Sequence, residues 1–278
     1  MINIGKYNSL RVVKELDFGI YLDGEEQGEI LMPKRYVPAN SNIDDTIEAF
    51  IYFDSEDRII ATTEKPYATV GQFAYLKVVS VNNVGAFLDW GLPKDLLVPF
   101  REQKVTMEEG KSYIVYIYVD YASKRIAASA KLDKHLDNLP PKYQINEEVD
   151  LLIHSQTDIG FKAIINNLHW GILYKNEVFS HLQKGQKIKG YIKKIREDEK
   201  IDLYLQLPGY DKVDEITEFI LEKLRSNNGI INVSDKSPAE EIYDIFKISK
   251  KNFKKAIGAL YRERKISIGD SSIALSRL

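Results

Sequence analysis

Val84-Gly85-Ala86-Phe87-Leu88-Asp89-Trp90-Gly91, followed by Asp95-Leu96-Leu97-Val98-Pro99, reads as a strand, a turn and a second strand. Successive side chains of a strand point to opposite faces, so Ala86 and Leu88 share one face while Phe87 and Asp89 share the other. Small and aliphatic residues inside with a ring outside is the pattern of a small barrel that displays an aromatic side chain.

The same pattern occurs twice more. Phe18-Gly19-Ile20-Tyr21-Leu22-Asp23-Gly24 turns Ile20 and Leu22 inward and puts Tyr21 in the place of Phe87. Ile159-Gly160-Phe161-Lys162-Ala163-Ile164 puts Lys162 there, and Trp170-Gly171-Ile172-Leu173-Tyr174 follows it. The motif glycines Gly19, Gly85 and Gly160 are 66 and 75 residues apart, and the closing basic-Ile pairs at Arg58, Arg125 and Lys200 are 67 and 75 apart. Two markers that keep step at both intervals indicate three copies of one module, each a whole small barrel rather than a solenoid turn. Pro66 and Pro140-Pro141 mark the joints.

From Pro208 the apolar period changes from two to 3.6. Ile216, Phe219, Ile220 and Leu224 make an amphipathic helix that ends near Asn227-Asn228-Gly229. Ser237-Pro238-Ala239-Glu240-Glu241 predicts a helix start with serine as the cap. Ser249 opens a third helix, residues 250–265, with Phe253, Ala256, Ile257 and Leu260 on one stripe. Ile266-Ser267-Ile268, a Gly269-Asp270 turn and Ser271 to Leu275 then predict a short hairpin. Three helices and a hairpin form the winged-helix plan. The expected domains are residues 1–66, 67–139, 140–208 and 209–278: a mainly β chain with a C-terminal α+β domain.

The core of the motif, Gly-Ala-Phe-Leu with an apolar pair a few residues on, resembles that of S1-type OB-fold barrels. Three such barrels and a winged helix resemble the bacterial conserved virulence factor B family, also called the YitL type. The stretches that carry the resemblance are Lys94-Asp95-Leu96-Leu97-Val98-Pro99-Phe100, Gly171 to Val178 and Ser249 to Gly258. It implies RNA binding, a post-transcriptional regulatory role and no catalytic activity. S1 domains often carry a histidine after the apolar pair; here that neighbourhood reads Met32-Pro33, Val98-Pro99 and, in the third copy, Tyr174.

Single-stranded RNA is gripped by stacking bases on exposed rings beside cations that follow the phosphates. Tyr21 and Phe87 fit the first role, or else pack against a neighbouring barrel. Lys77, Arg125, Arg11 and Arg58 fit the second. With Lys162 in the place of the ring, the third copy either makes no RNA contact or makes it through Tyr174, Lys162 and charge instead. Tyr116 and Tyr118 read as core-edge packing, and Trp90 and Trp170 as plugs. Lys250, Lys251, Lys254 and Lys255 open the recognition helix of the winged helix, where the alternative is a solvated face.

Charge narrows the partners. The chain has 278 residues with 39 basic and 41 acidic, a net of −2. That balance argues against strong, purely electrostatic grip on a phosphate backbone. Residues 1–66 hold 7 basic and 13 acidic residues, net −6, so the first barrel suits a spacer or a protein contact. The second and third are each +1, and the portion from Gly209 is +2. RNA is therefore expected mainly on the second and third barrels; duplex DNA is disfavoured, and protein partners of the translation or transcription machinery are the rival reading.

Other chemistry is thin. Absence of cysteine excludes disulfides, thiolate metal sites and cysteine nucleophiles. His135, His154, His169 and His181 have no metal-ligand spacing. Gly110-Lys111-Ser112 imitates the end of a phosphate loop, but Val105 stands where its first glycine belongs. No cofactor, no metal and no enzyme activity are expected. The start of the chain has no signal-type apolar run, and no stretch approaches the roughly 18 apolar residues of a membrane helix, so the expected location is the cytoplasm.

Overall fold

A computed structural model describes residues 1–175, 177–178, 181–205 and 213–276. The chain is mainly β, three barrels followed by a winged helix, and it divides into two compact units, residues 1–138 and 139–278.

The first barrel is built from β1 (Tyr7–Leu16), β2 (Gly19–Asp23), β3 (Glu29–Pro33), β4 (Thr46–Phe53) and β5 (Ile59–Thr62). It closes in the order β1-β2-β3-β5-β4, with β3 and β5 parallel and the other pairs antiparallel. The second contains β6 (Phe73–Val81), β7 (Gly85–Asp89), β8 (Leu96–Pro99), β9 (Ser112–Val119) and β10 (Ile126–Ser129). Its hydrogen-bonded order is β10-β9-β6-β7-β8. In the second unit, β11 (Glu148–Gln156), β12 (Gly160–Ile165), β13 (His169–Tyr174), β14 (Lys187–Ile195) and β15 (Ile201–Tyr204) form a closed barrel with the order of the first.

These segments become strands because their β-branched, aromatic and aliphatic residues alternate or run continuously where both faces are covered. Leu22, Leu88 and Ala163 are fully buried, as the alternation predicts. Each barrel's first strand also carries a register shift at the same point, between Val12 and Lys14, Val78 and Ser80, and Ile153 and Ser155. A bulge there bends the strand, which lets it serve two neighbours on opposite sides of the barrel.

The motif glycines have a steric cause. Each faces the end of the following strand: Gly19 opposite Pro33, Gly85 opposite Pro99, Gly160 opposite Tyr174. A Cβ on Gly85 would stand 2.3 Å from the carbonyl oxygen of Val98, and one on Gly160 only 1.9 Å from that of Leu173. The two backbones touch, so no side chain fits.

Within the first unit each barrel has its own interior, that of the first around Leu22, Ile30 and Ile51, and a few residues of the first barrel join the core of the second. Phe50, Tyr52 and Ile60 of the first barrel pack in the same buried cluster as Trp90, Leu92 and Leu96 of the second. The Phe50 ring meets Trp90 edge-on, with centroids 5.8 Å apart, and Trp90 donates its Nε1–H to the carbonyl of Lys94 at 2.7 Å. The plug role expected for Trp90 holds; Trp170 instead is partly exposed.

The winged helix contains α1 (Val213–Ser226), β16 (Ile230–Ile231), α2 (Ala239–Phe246), α3 (Lys250–Arg262), β17 (Ile266–Ile268) and β18 (Ile273–Leu275). Ile220, Leu224, Ile242, Phe246, Phe253 and Leu260 make its core. The expected hairpin is present, and β16 pairs with β18 to make the sheet three-stranded. Phe219, placed on the apolar stripe by sequence, is exposed, with Lys223 over its ring at 5.9 Å.

One cap differs from expectation. Pro238, not Ser237, is the N-cap of α2, and no side chain caps it. Pro238 is extended (φ −53°, ψ 149°), and the Ser237 hydroxyl is taken up accepting the backbone N–H of Ser234. Ser249 does cap α3, accepting from the N–H of Asn252. The expected boundary at 208 lies outside the described residues.

Candidate nucleic-acid interface

An open groove of about 730 Å³ lies over β7, β8 and β10 of the second barrel. Phe87 enters it from β7, Leu97 and Pro99 from β8, Phe100 from the turn after β8, and Tyr118 from β9. Phe87 is partly buried, its inner neighbours Ala86 and Leu88 wholly so, which places the ring on the barrel's outer face. Phe100 is 47% exposed. The cations Lys94, Arg101 and Arg125 rim the groove, beside Asp57, Asp95 and Asp120.

Each of those cations has an acidic partner. Arg101 donates to Asp120 at 3.2 Å. Lys94 donates to Asp57 at 2.9 Å and to the carbonyl of Asp54 at 2.6 Å, and Arg125 donates to the other oxygen of Asp57. The hydrogen bond from Lys94, with the charges of Lys94 and Arg125, holds the Asp57 carboxyl below the usual range. Asp95 moves the other way: burial first, then the neighbouring Asp89, raises it. Burial, with Glu102 and Asp120 nearby, raises the Tyr118 hydroxyl.

The other expected residues spread over several faces. Tyr21 occupies on the first barrel the position of Phe87, edge-on to Phe18 with ring centroids 6.3 Å apart and with Lys14 over its ring at 5.4 Å. Lys77 is exposed on β6, paired in register with Asp89, and is not among the residues lining the groove. Arg11 pairs with Asp44 and Asp23, and Arg58 with Asp54 and Glu56. Tyr116 packs as expected, flat on His135, and Tyr118, which stacks on His135 at 5.9 Å, also walls the groove.

On the third barrel, Lys162 sits 3.6 Å from the centroid of the Trp170 ring. Tyr174 belongs to a network: its hydroxyl donates to Asp202 at 3.2 Å and accepts from Arg196, which also donates to Asp202 at 2.7 Å. Burial and Asp202 raise the Tyr174 hydroxyl. Asp202 follows the opening Ile of the closing strand, as Ile60 and Ala127 do in the other barrels, so the network is particular to the third.

Two of the four helix lysines are engaged inside the winged helix. Lys250 donates to the carbonyl of Ser237 at 2.7 Å, and Lys254 lies 3.9 Å from Asp235. Lys251 and Lys255 are exposed on α3.

Sequence reasoning did not select Lys94, Phe100, Arg101 or Asp57 for the groove. Phe100 and Lys94 flank the apolar pair of β8, a local signal that could have found them. Asp57 has no such signal, since it comes from the neighbouring barrel. Among the described residues, no group of three or more His, Asp or Glu is placed to hold a metal ion, and no helix is long and apolar enough to cross a membrane.

Comparison with known proteins agrees with this architecture. The S1 domain model matches residues 4–64 and 70–130, and the CvfB-like winged helix domain model matches residues 218–275. YitL of Bacillus subtilis (strain 168) is 27% identical over 270 residues, 94% of this chain and 90% of that protein. Conserved virulence factor B of Staphylococcus aureus (strain USA300) is 26% identical over 257 residues, 85% of this chain and 83% of its own length. A crystal structure of a multidomain protein with nucleic acid binding domains from Streptococcus pneumoniae TIGR4 aligns over 98% of both chains at 23% identity, with a TM-score of 0.43. S1 and winged-helix domains are typically nucleic-acid-binding modules. With S1 domains in tandem, a CvfB-like winged helix at the end and relatives along most of its length, the chain belongs to the family of YitL and conserved virulence factor B.

Proposed function

We propose that the protein binds RNA through the outer faces of its barrels, with the groove of the second barrel as the principal contact, and regulates gene expression post-transcriptionally. The observation that carries this reading is the gathering of Phe87, Phe100 and Tyr118 with Arg101 and Arg125 in one open groove. Rings stack on bases of any sequence, and guanidinium groups donate hydrogen bonds to the phosphates between them. Tyr21 extends the surface on the first barrel, Lys77 adds an exposed cation on β6 outside the groove, and Lys162 and Tyr174 serve the third barrel. Lys250, Lys251, Lys254 and Lys255 give the winged helix a weaker basic contact. The regulatory part of the reading rests on kinship with the Staphylococcus aureus proteins named conserved virulence factor B.

The test is titration of a short single-stranded RNA and a matched DNA duplex over a salt series. RNA is expected to bind more tightly than the duplex, and Phe87→Ala to weaken RNA binding by about 1–3 kcal/mol, the contribution of one stacked base. An affinity unmoved by Phe87→Ala, with a steep salt slope, would reduce the interaction to phosphate attraction and overturn the groove assignment.

The net charge of −6 over residues 1–66 favours a second reading, an adaptor that meets protein partners through the first barrel. It predicts stoichiometric protein partners that survive ribonuclease treatment in a pull-down with the full chain.

A further inference from the structure

Asp57 stands in the β4–β5 turn of the first barrel, yet both its carboxylate oxygens bond cations of the second: Oδ1 accepts from Lys94 at 2.9 Å and Oδ2 accepts from Arg125. The turn itself does not need this side chain. Its own hydrogen bonds converge on Asp54, which accepts from the N–H groups of Glu56 and Arg58 and from the Arg58 guanidinium. Asp57 has a left-handed backbone, φ 61°, and so do the residues at its place in the other two barrels, Lys124 (φ 59°) and Glu199 (φ 60°). A lysine at that place in the second barrel shows that the turn tolerates the opposite charge.

Stability does not account for Asp57 either. Its side chain is 40% exposed and that of Arg125 57%, and ion pairs so open to water contribute little to folding. What the pairing does do is place a carboxylate where a ligand phosphate would go, on the cations at one end of a groove lined by rings. Carboxylate and phosphate compete for the same guanidinium and ammonium donors. The competitor is held in position, because Phe50 of the first barrel is buried against Trp90 in the core of the second.

We infer that Asp57 is a specificity-determining residue of the second barrel's groove: it stands in for a phosphodiester on Lys94 and Arg125, so the groove favours chains that stack bases on Phe87 and turns away bare polyanions. The inference rests on the RNA-binding reading. A ligand held by charge alone has to displace Asp57 in order to bind, whereas a nucleic-acid strand stacked on the rings keeps most of its contacts with Asp57 left in place. Removing the charge should therefore help a bare polyanion more than it helps RNA.

The experiment compares the full-length wild type with Asp57→Asn, using a short oligouridylate and inorganic polyphosphate as ligands across a salt series. Asparagine accepts left-handed backbone readily, so the turn is kept. Asp57→Asn is expected to bind polyphosphate several-fold more tightly and oligouridylate by a smaller factor. The slope of log affinity against log salt for oligouridylate should steepen by about 0.7 for each cation released. Asp57→Ser should reproduce the gain, which covers the case in which the asparagine variant folds poorly, and Asp57→Glu should match the wild type. Gains as large in Asp57→Glu as in Asp57→Asn would overturn the inference, since charge would not be the cause. Unchanged affinities in Asp57→Asn, with Phe87→Ala still weakening RNA binding, would overturn it and leave the RNA reading standing. Absence of oligouridylate binding by wild type and variant alike would overturn both.

Discussion

His135 lies almost flat on Tyr116, with ring centroids 4.0 Å apart and planes at 17°. Burial lowers its pKa; Glu102 opposes the shift and Lys134 adds to it. A histidine whose folded pKa is depressed takes up its proton more readily in the unfolded chain, so stability is lost as pH falls below the ordinary histidine value of about 6.5. Thermal unfolding at pH 7.5 and 5.5 should show a loss in the wild type that shrinks in His135→Gln; an equal loss in both would assign it to other groups. At this scale much was legible in the sequence. Alternation placed Tyr21, Phe87 and Lys162 outward because the period of a strand is a property of the strand alone. The network of Tyr174, Arg196 and Asp202 was not legible, since it joins β13, β15 and the turn after β14, whose relative placement no single strand encodes.

Among the elements, the strand that begins at the motif glycine is the most exacting. Gly85 faces the backbone of Val98 and Pro99 so closely that a methyl group would force the β7–β8 pair apart. Gly85→Ala should cost about 2 kcal/mol or more, measured by urea denaturation, because the obstacle is backbone rather than a movable side chain. A change below about 0.5 kcal/mol would mean that β8 can shift freely. The recurrence of this glycine was readable in the sequence, but its cause was not, because the partner strand lies 13 or 14 residues away and only pairing brings it near. The start of α2 makes a related point. Ser237 has the residue type of a cap, yet a nearer donor, the N–H of Ser234, claims its hydroxyl.

At the scale of the molecule, the first two barrels act as one body. Phe50 is completely buried and stands against Trp90 of the other barrel, so deleting its ring opens a cavity in the core of the second barrel, which residues of the first join. Phe50→Ala should destabilise the pair by about 3–5 kcal/mol. In a Trp170→Phe background, where Trp90 is the sole tryptophan, its fluorescence change should coincide with loss of hydrogen-exchange protection in β1 of the first barrel. Separate transitions would show that the barrels fold independently. The same rigidity gives Asp57 its place in the groove, so a variant that loosens that core should also loosen the groove's selectivity.

By itself, the sequence determined that there are three related barrels and a winged helix, and which residues of each strand face outward. Those properties follow from spacing along one chain and from the local preferences of strands and helices. It took the packing of the folded chain to show that Phe50 of the first barrel joins the core of the second, that Lys77 does not line the groove, and that Asp57 of one barrel meets Lys94 and Arg125 of the next. Such meetings depend on how whole barrels pack, and packing sets distances between residues that no periodicity relates.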